Sequence, residues 1–398
     1  MSERRTINIF GVTGSVGQST ADVILAHSAL FSVQYVTAHK DADALAKMAL
    51  ALGARYAVLA SDDAETLSAL EKALEGSGII ALGGAEAMQQ AARHRVDVNV
   101  MAIVGMAGLT PIMEALEHCR FLALANKEPL VAAGPFVMEK ARQYQVQILP
   151  LDSEHNAIFQ VFDPKQALSV EKIILTASGG PFLDWPLERI EKASVAEAVN
   201  HPNWSMGQKI SVDSATMMNK ALEVIEAYYL FALPPDKIDV VVHPQSIVHS
   251  MVEYCDGSVL AQMGASDMRT PIANVLYCDK RLKTPGKILN IKELSTLEFR
   301  EVDAEKFPAI AMAYEALEQG LYATIALNAA NECAVFAFLR EGIAFAEIIN
   351  CVRSVVDSIN KEEILSLEDV FRVDALARAS ATRYIETLNP LKTAVISS

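Results

Sequence analysis

Paired cysteines are missing from this sequence. Its five cysteines stand at 119, 255, 278, 333 and 351, and none are spaced as C-x-x-C. That argues against a disulfide framework and fits thiols kept as small core residues in a reducing cytoplasm. Runs of positive charge are missing too. Only 34 Lys+Arg stand against 49 Asp+Glu, a formal net charge of −15, and no stretch is polybasic. Nucleic acid and anionic membrane are therefore poor partners, and an anionic small molecule needs a local cluster of donors working against the global field. Apolar runs such as "MAIVGMAGL" fall far short of a bilayer span, so no membrane association is expected. The opening "MSERRTINIF" runs into a strand pattern without the apolar stretch and cleavage site of a secretion signal. Four histidines of the middle third, His155, His201, His243 and His249, match no compact zinc spacing. Internal repeats and low-complexity segments are absent.

What is present is a chain of 398 residues, 52% hydrophobic and 21% charged, rich enough in apolar residues to bury two or three cores. Over residues 1–150, short β-rich runs alternate with helical ones. "TINIF", "VQYVTA", "YAVLA", "VNVMAIV", "FLALA" and "VQILPL" read as buried strands, and "QSTADVILAHS", "DALAKMALAL", "AETLSALEKAL", "TPIMEALEHC" and "PFVMEKARQY" carry helical apolar spacing. This alternation predicts an α/β, Rossmann-like, doubly wound parallel sheet. From 151 to 277 the character is α+β, with Gly-, Pro- and Trp-bearing loops, a helix over about 214–232, and two strands joined at the Asp256-Gly257 hairpin signal. Residues 278–303 lack periodicity and read as a linker, and 304–398 read as a C-terminal helical bundle.

Two sites carry chemistry. "IFGVTGSVGQST" puts Gly11, Gly14 and Gly17 at the first strand–helix junction, where backbone can approach a pyrophosphate and a helix offers its N–H groups. At the end of the second strand His39 and Lys40 precede Asp41; the basic pair favours a 2′-phosphate, hence NADP(H), over a free ribose hydroxyl. The second site centres on "LDSEHNAIFQ". Asp152 and Glu154 would diverge on a helix but share a side in extended chain, which the preceding Pro150 favours. Two carboxylates on one side suit Mg²⁺ or Mn²⁺, and the alternative for the same residues is a solvated turn. In "DSATMMNKALEVIEAYYL", Met218, Leu222, Ile225 and Tyr229 form a core stripe, with Asn219, Glu223 and Glu226 on the neighbouring face. Ser178-Gly179-Gly180 and the Ser211–Lys220 stretch offer anion donors, and Trp204 and Met206 in the 200–209 loop read either as a lid or as packing.

The strings "GVTGSVGQST", "ALANKEPLV", "LPLDSEHNAIFQ", "SGGPF", "HPNWSMGQKISVDSATMMNKALEVIEA", "HPQSIVHSMV", "DGSVLAQMG", "DMRTPI" and "LNAANE" together resemble the 1-deoxy-D-xylulose 5-phosphate reductoisomerase family along nearly the whole chain. The resemblance implies a cytoplasmic homodimer with an NADPH-binding domain (1–150), a central catalytic and dimerisation domain (151–277), a linker (278–303) and a helical bundle (304–398). It implies Mg²⁺, Mn²⁺ or Co²⁺ held by Asp152, Glu154 and Glu223, with Lys127 joining these three as a catalytic residue. Substrate contacts carried over by motif are Lys127, Ser153, Glu154, Ser178, His201, Ser214, Asn219, Lys220 and Glu223. NADPH contacts are Thr13, Gly14, Ser15, Val16, His39, Lys40, Asp41, Asn126, Glu128 and Gly207. The substrate is a small sugar phosphate. His39 and Asp41 stand where the family often has glycine and asparagine, Gln208 where arginine is frequent, and Ala221 where glycine is frequent. The reading set against this one is a metal-free NADP-dependent dehydrogenase of a small aldehyde or hydroxy acid.

Overall fold

The computed structural model describes residues 4–204 and 206–388; Ser205 of the 200–209 loop lies outside them. The chain divides into two compact units, one of residues 1–129, 137–159 and 267–289, the other of 130–136, 160–266 and 290–398.

The first unit is built on seven strands: β1 (Arg5–Phe10), β2 (Phe31–Ala38), β3 (Tyr56–Leu59), β4 (Ile80–Gly83), β5 (Val96–Met101), β6 (Cys119–Leu124) and β7 (Gln147–Pro150). Their spatial order is β4-β3-β2-β1-β5-β6-β7, and every pair is parallel. The chain winds outward from β1 to β4 and then returns beside β1 with β5. The fold is therefore doubly wound, with its switch point at the carboxyl ends of β1 and β5, where α/β sheets bind ligands. Ile7, Ile9, Val33, Val98 and Val100 fill one core with the helices that flank the sheet. Asn8 sits among them fully buried because it repairs a bulge: β2 slips one residue against β1 after Ile7. The Asn8 amide oxygen accepts the Tyr35 backbone N–H at 3.2 Å, while its nitrogen donates to Asn99 Oδ1 at 2.9 Å.

The sheet differs from expectation in one place. Strand β4 and the Gly84–Arg93 helix after it carry too little pattern to be read from sequence, since β4 is a four-residue edge strand whose Ile80 is 48% exposed.

The second unit holds a mixed four-stranded sheet of β8 (Val170–Ala177), β9 (Ile238–Val242), β10 (Val248–Tyr254) and β11 (Val259–Met263), in the order β11-β10-β8-β9. The Asp256-Gly257 hairpin forms as expected: Gly257 takes φ 84° and Asp256 Oδ1 accepts the Ser258 N–H. The helix expected over 214–232 is two helices, Gln208–Ala215 and Met218–Phe231. Met217 breaks them apart at φ 57°, and the Thr216 hydroxyl oxygen accepts the Met218 N–H that the break leaves over. Helices Ala309–Gln319, Leu321–Leu339, Ala346–Ser358 and Leu367–Leu388 form the C-terminal bundle. The Leu321–Leu339 helix, expected as part of the bundle, is also long and apolar enough to cross a membrane by length and composition. Yet 78% of its apolar window is buried among its neighbours, as the central helix of a bundle requires.

Candidate active site

The glycine turn follows β1 directly. Gly11 turns at φ 83°, and its N–H and that of Val12 both donate to Thr37 O, tying the turn to the end of β2. A Cβ on Gly11 would stand 2.6 Å from Ala102 O, and one on Gly17 would stand 2.3 Å from Gly11 O. These two glycines let the turn lie against β5 and the first helix close on the turn. Gly14 differs: its Cβ position meets nothing nearer than 3.5 Å. It begins the Ser15–Ala26 helix with no side-chain cap, and Gly14 and Ser15 are exposed while Thr13 and Val16 are half-buried. An uncapped helix start with an open backbone is an anion cradle.

At the end of β2, His39 and Lys40 are exposed. Asp41 is engaged: its Oδ1 accepts the Ala44 N–H at 2.9 Å and caps the Ala42–Leu52 helix. After β6, the buried Asn126 amide donates to Gly105 O at 3.0 Å, and Lys127 and Glu128 are buried beside it in sequence.

Asp152 and Glu154 are not in extended chain, which corrects the geometry expected for them. Ser153–Val161 is a helix, and Asp152 precedes it as its cap. Its carbonyl accepts the Asn156 N–H, and its Oδ1 accepts the N–H groups of Glu154 (3.1 Å) and His155 (3.3 Å). The capping bonds outweigh the extended bias that Pro150 suggested. The consequence for chemistry is favourable, because both carboxylates now sit at the positive end of a helix. Lys127 Nζ pairs with Asp152 Oδ2 at 3.0 Å, with both side chains about nine-tenths buried, and the Ser153 hydroxyl donates to Glu154 Oε2 at 2.5 Å.

In the second unit a cluster of donors surrounds the end of β8. Gly179 and Gly180 turn at φ 85° and 65°, and a Cβ on Gly180 would meet Ser214 O at 2.6 Å, so this turn lies against the Gln208–Ala215 helix. His201 Nδ1 accepts the backbone N–H groups of Asn203 (3.2 Å) and Trp204 (3.0 Å). Its proton is therefore on Nε2, which donates to Ser178 Oγ at 2.9 Å. Ser178 also accepts the Gly180 N–H, leaving its own hydroxyl proton to be directed elsewhere. Burial depresses the His201 pKa to about 4. Unfolded chain takes up this proton first, near 6.5, so His201 subtracts stability as pH falls from there toward 4. Long-range ¹H–¹⁵N spectra should show a neutral Nε2–H ring from about pH 8 down to about pH 5. A ring that charges near its ordinary value would overturn this assignment.

Ser214 and Asn219 are half-buried while the residues around them are buried, Gly207 is the exposed start of the Gln208–Ala215 helix, and Trp204 packs 6.2 Å from the His249 ring. Glu223 is fully buried and accepts from Asn219 Nδ2 and Lys220 Nζ, so the amide, ammonium and carboxylate of one helical turn are joined. Glu226, on the same face, is buried as well. Two groups were missed in the sequence. Ser246, at φ 50°, accepts from Asn203 Nδ2 at 3.1 Å and so anchors the 200–209 loop. Lys209, Asp213 and Asn331 form a buried chain of contacts. Neither has a local pattern; only the positive φ at Ser246 and the polar residues inside an apolar helix mark them.

A seven-stranded parallel sheet with a glycine turn at its first strand–helix junction places the chain in the Rossmann-like dinucleotide-binding class. The comparisons narrow this class. Three family models match in series: 1-deoxy-D-xylulose 5-phosphate reductoisomerase over residues 7–134, its C-terminal domain over 148–231, and the DXP reductoisomerase C-terminal domain over 263–380. The 1-deoxy-D-xylulose 5-phosphate reductoisomerase of Zymomonas mobilis is 45% identical over 388 residues, 98% of this chain and 100% of the relative. A solved structure of the Zymomonas mobilis enzyme in complex with NADPH aligns with TM-score 0.89 at 42% identity, covering 97% of this chain and 100% of that one. A DOX-P reductoisomerase in complex with NADPH, fosmidomycin and magnesium aligns with TM-score 0.89 at 40% identity over 96% of this chain and 99% of that one. The chain belongs to the 1-deoxy-D-xylulose 5-phosphate reductoisomerase family.

Proposed function

We propose that this protein converts 1-deoxy-D-xylulose 5-phosphate to 2-C-methyl-D-erythritol 4-phosphate, rearranging one carbon–carbon bond and reducing the product aldehyde with NADPH in the presence of a divalent metal, as a step of non-mevalonate isoprenoid synthesis. Family membership over nearly the whole chain carries this reading, and it disfavours the metal-free dehydrogenase.

The residues present fit both NADPH and a divalent metal. Gly14 leaves the helix start open to a pyrophosphate, and Lys40 is exposed where a 2′-phosphate would need a cation. We assign NADPH to Thr13, Gly14, Ser15, Val16, His39, Lys40, Asp41, Asn126, Glu128 and Gly207. For the metal, Asp152 and Glu154 are partly exposed carboxylates and Glu223 a buried one, a hard all-oxygen set suited to Mg²⁺, Mn²⁺ or Co²⁺. When bound, the dication supplies Lewis-acid polarisation of substrate oxygens and NADPH supplies the hydride.

The chain's own groups do the rest. Lys127 offsets the charge of Asp152 and is in position to hold or return a proton there. Ser178, with its lone pairs engaged by His201 and Gly180, turns its hydroxyl proton toward the substrate phosphate. Ser214, Asn219 and Lys220 add donors, Ser153 contacts the sugar, and Trp204 and Met206 exclude water. The domains in this reading are 1–150 for NADPH, 151–277 for catalysis and dimerisation, a 278–303 linker and a 304–398 bundle.

A homodimer is part of the proposal. Among the described residues β11 pairs only with β10, and its Val259 and Leu260 are 49% and 48% exposed. An apolar strand edge of this kind suits the same edge of a second copy. Five free thiols support a cytoplasmic location.

The test is NADPH oxidation with 1-deoxy-D-xylulose 5-phosphate, with and without chelator. Turnover that requires both the sugar phosphate and the metal is expected. Chelator-resistant reduction without a rearranged product would select the dehydrogenase instead.

A further inference from the structure

We infer that Asn331, in the C-terminal bundle, is a positioning residue for the substrate-phosphate site, acting through Asp213. The motif "LNAANE" lies in the Leu321–Leu339 helix, which is buried at nearly every residue from Tyr322 to Val335. Asn331 is completely buried there, 118 residues from Asp213, and its Nδ2 donates to Asp213 Oδ1 at 2.8 Å. Asp213 is itself 1% exposed, and its other oxygen pairs with Lys209 Nζ at 2.8 Å. The Asn331 amide oxygen has no hydrogen-bond partner among the described groups. A buried acceptor left over is unfavourable, so the amide is held in place by what its nitrogen does for Asp213.

That contact fixes a short helix with functional groups at both ends. Gln208–Ala215 starts at Gly207, directly after the 200–206 loop, and ends beside Ser214. Ser214 O is the atom against which the Gly180 turn lies, and that turn carries Ser178 and its bond from His201. The Asp213–Asn331 bond therefore ties the bundle to Ser214, Ser178 and His201 together. A shift of the helix by a fraction of an ångström would displace all three from a phosphate while leaving the glycine turn of the first unit as it is.

The inference rests on the proposed function for its kinetic arm only. In Asn331→Asp two buried carboxylates face each other. The KM for 1-deoxy-D-xylulose 5-phosphate should rise by about tenfold or more, with kcat and the NADPH Kd within about twofold. The His201 ring resonances should move. In the double variant Asp213→Asn, Asn331→Asp the hydrogen bond is restored with donor and acceptor exchanged, and Lys209 keeps one carboxylate nearby. Both KM and the His201 spectrum should return toward wild type. An unchanged KM and unchanged His201 spectrum in folded Asn331→Asp would overturn the inference, as would a loss the double variant does not reverse. If wild-type protein does not turn over this substrate, the functional reading falls, and the His201 spectra still decide the positioning role.

Discussion

Asp152→Asn will keep its fold and its NADPH affinity and lose its turnover. The substitution separates two roles of one side chain. Asp152 caps the Ser153–Val161 helix through Oδ1, and asparagine caps a helix about as well as aspartate. The amide also preserves the volume beside Lys127. What it removes is the negative charge that a dication needs and that Lys127 offsets. The cap should therefore hold, and the loss of stability should come from leaving the buried Lys127 ammonium without its partner, about 3–5 kcal/mol at most. Turnover should fall by about 10³-fold, the scale of losing a principal electrostatic contact to a developing oxyanion. Manganese titration followed by electron paramagnetic resonance should show weaker binding in the variant, while NADPH fluorescence titration should not change. Full activity with wild-type metal affinity would remove Asp152 from the proposed ligand set. A variant that no longer folds would instead assign the residue's role to its pair with Lys127 rather than to the metal.

The same residue shows what the sequence could and could not tell. The carboxylates were visible as a pair, and so were the reasons to connect them with a metal. Their backbone was not, because Pro150 argues for extension and a capping side chain argues for a helix one residue later, and only the bonds formed decide between them. The seven-stranded sheet was legible through six of its strands, since buried parallel strands are continuous apolar runs. Its seventh, β4, is a short edge that ends in Gly83 and is flanked by glycines at 76, 78 and 84, where the pattern fades. The helix break at Met217 was illegible because a left-handed methionine has no compositional signal, although Thr216, which satisfies the freed N–H, stands next to it. The Asp213–Asn331 bond was beyond reach for a different reason: nothing local relates two polar residues that far apart, and only the packing of the bundle brings them together.

Gly17→Ala and Gly14→Ala will fail in different ways, although both residues belong to one glycine string. At Gly17 a methyl group would stand 2.3 Å from Gly11 O and 2.5 Å from the Val12 Cα. These are backbone atoms with no rotamer to change, and Gly11 is held in turn by its bonds to Thr37 and by Ala102 behind it. The first helix must then lift off the turn, an overpacking that costs about 1–3 kcal/mol or more. Melting temperature should fall, and NADPH affinity should fall with it because the helix start no longer meets the turn. At Gly14 the φ of −74° is ordinary for alanine, and the new methyl group meets only Gly11 O, at 3.5 Å. Stability should stay within about 0.5 kcal/mol of wild type, as for a surface change away from special features. The methyl group instead occupies the open side of the helix start, where the pyrophosphate backbone contact belongs. The KM for NADPH should rise about tenfold or more with little change in the KM for the sugar phosphate, a step of roughly 1.4 kcal/mol in cofactor binding. Thermal melts and paired KM measurements on the two variants test the argument at once. If Gly14→Ala binds NADPH as wild type does, the cofactor does not lie on this helix start. If Gly17→Ala melts as wild type does, the turn is not packed as tightly as the distances require.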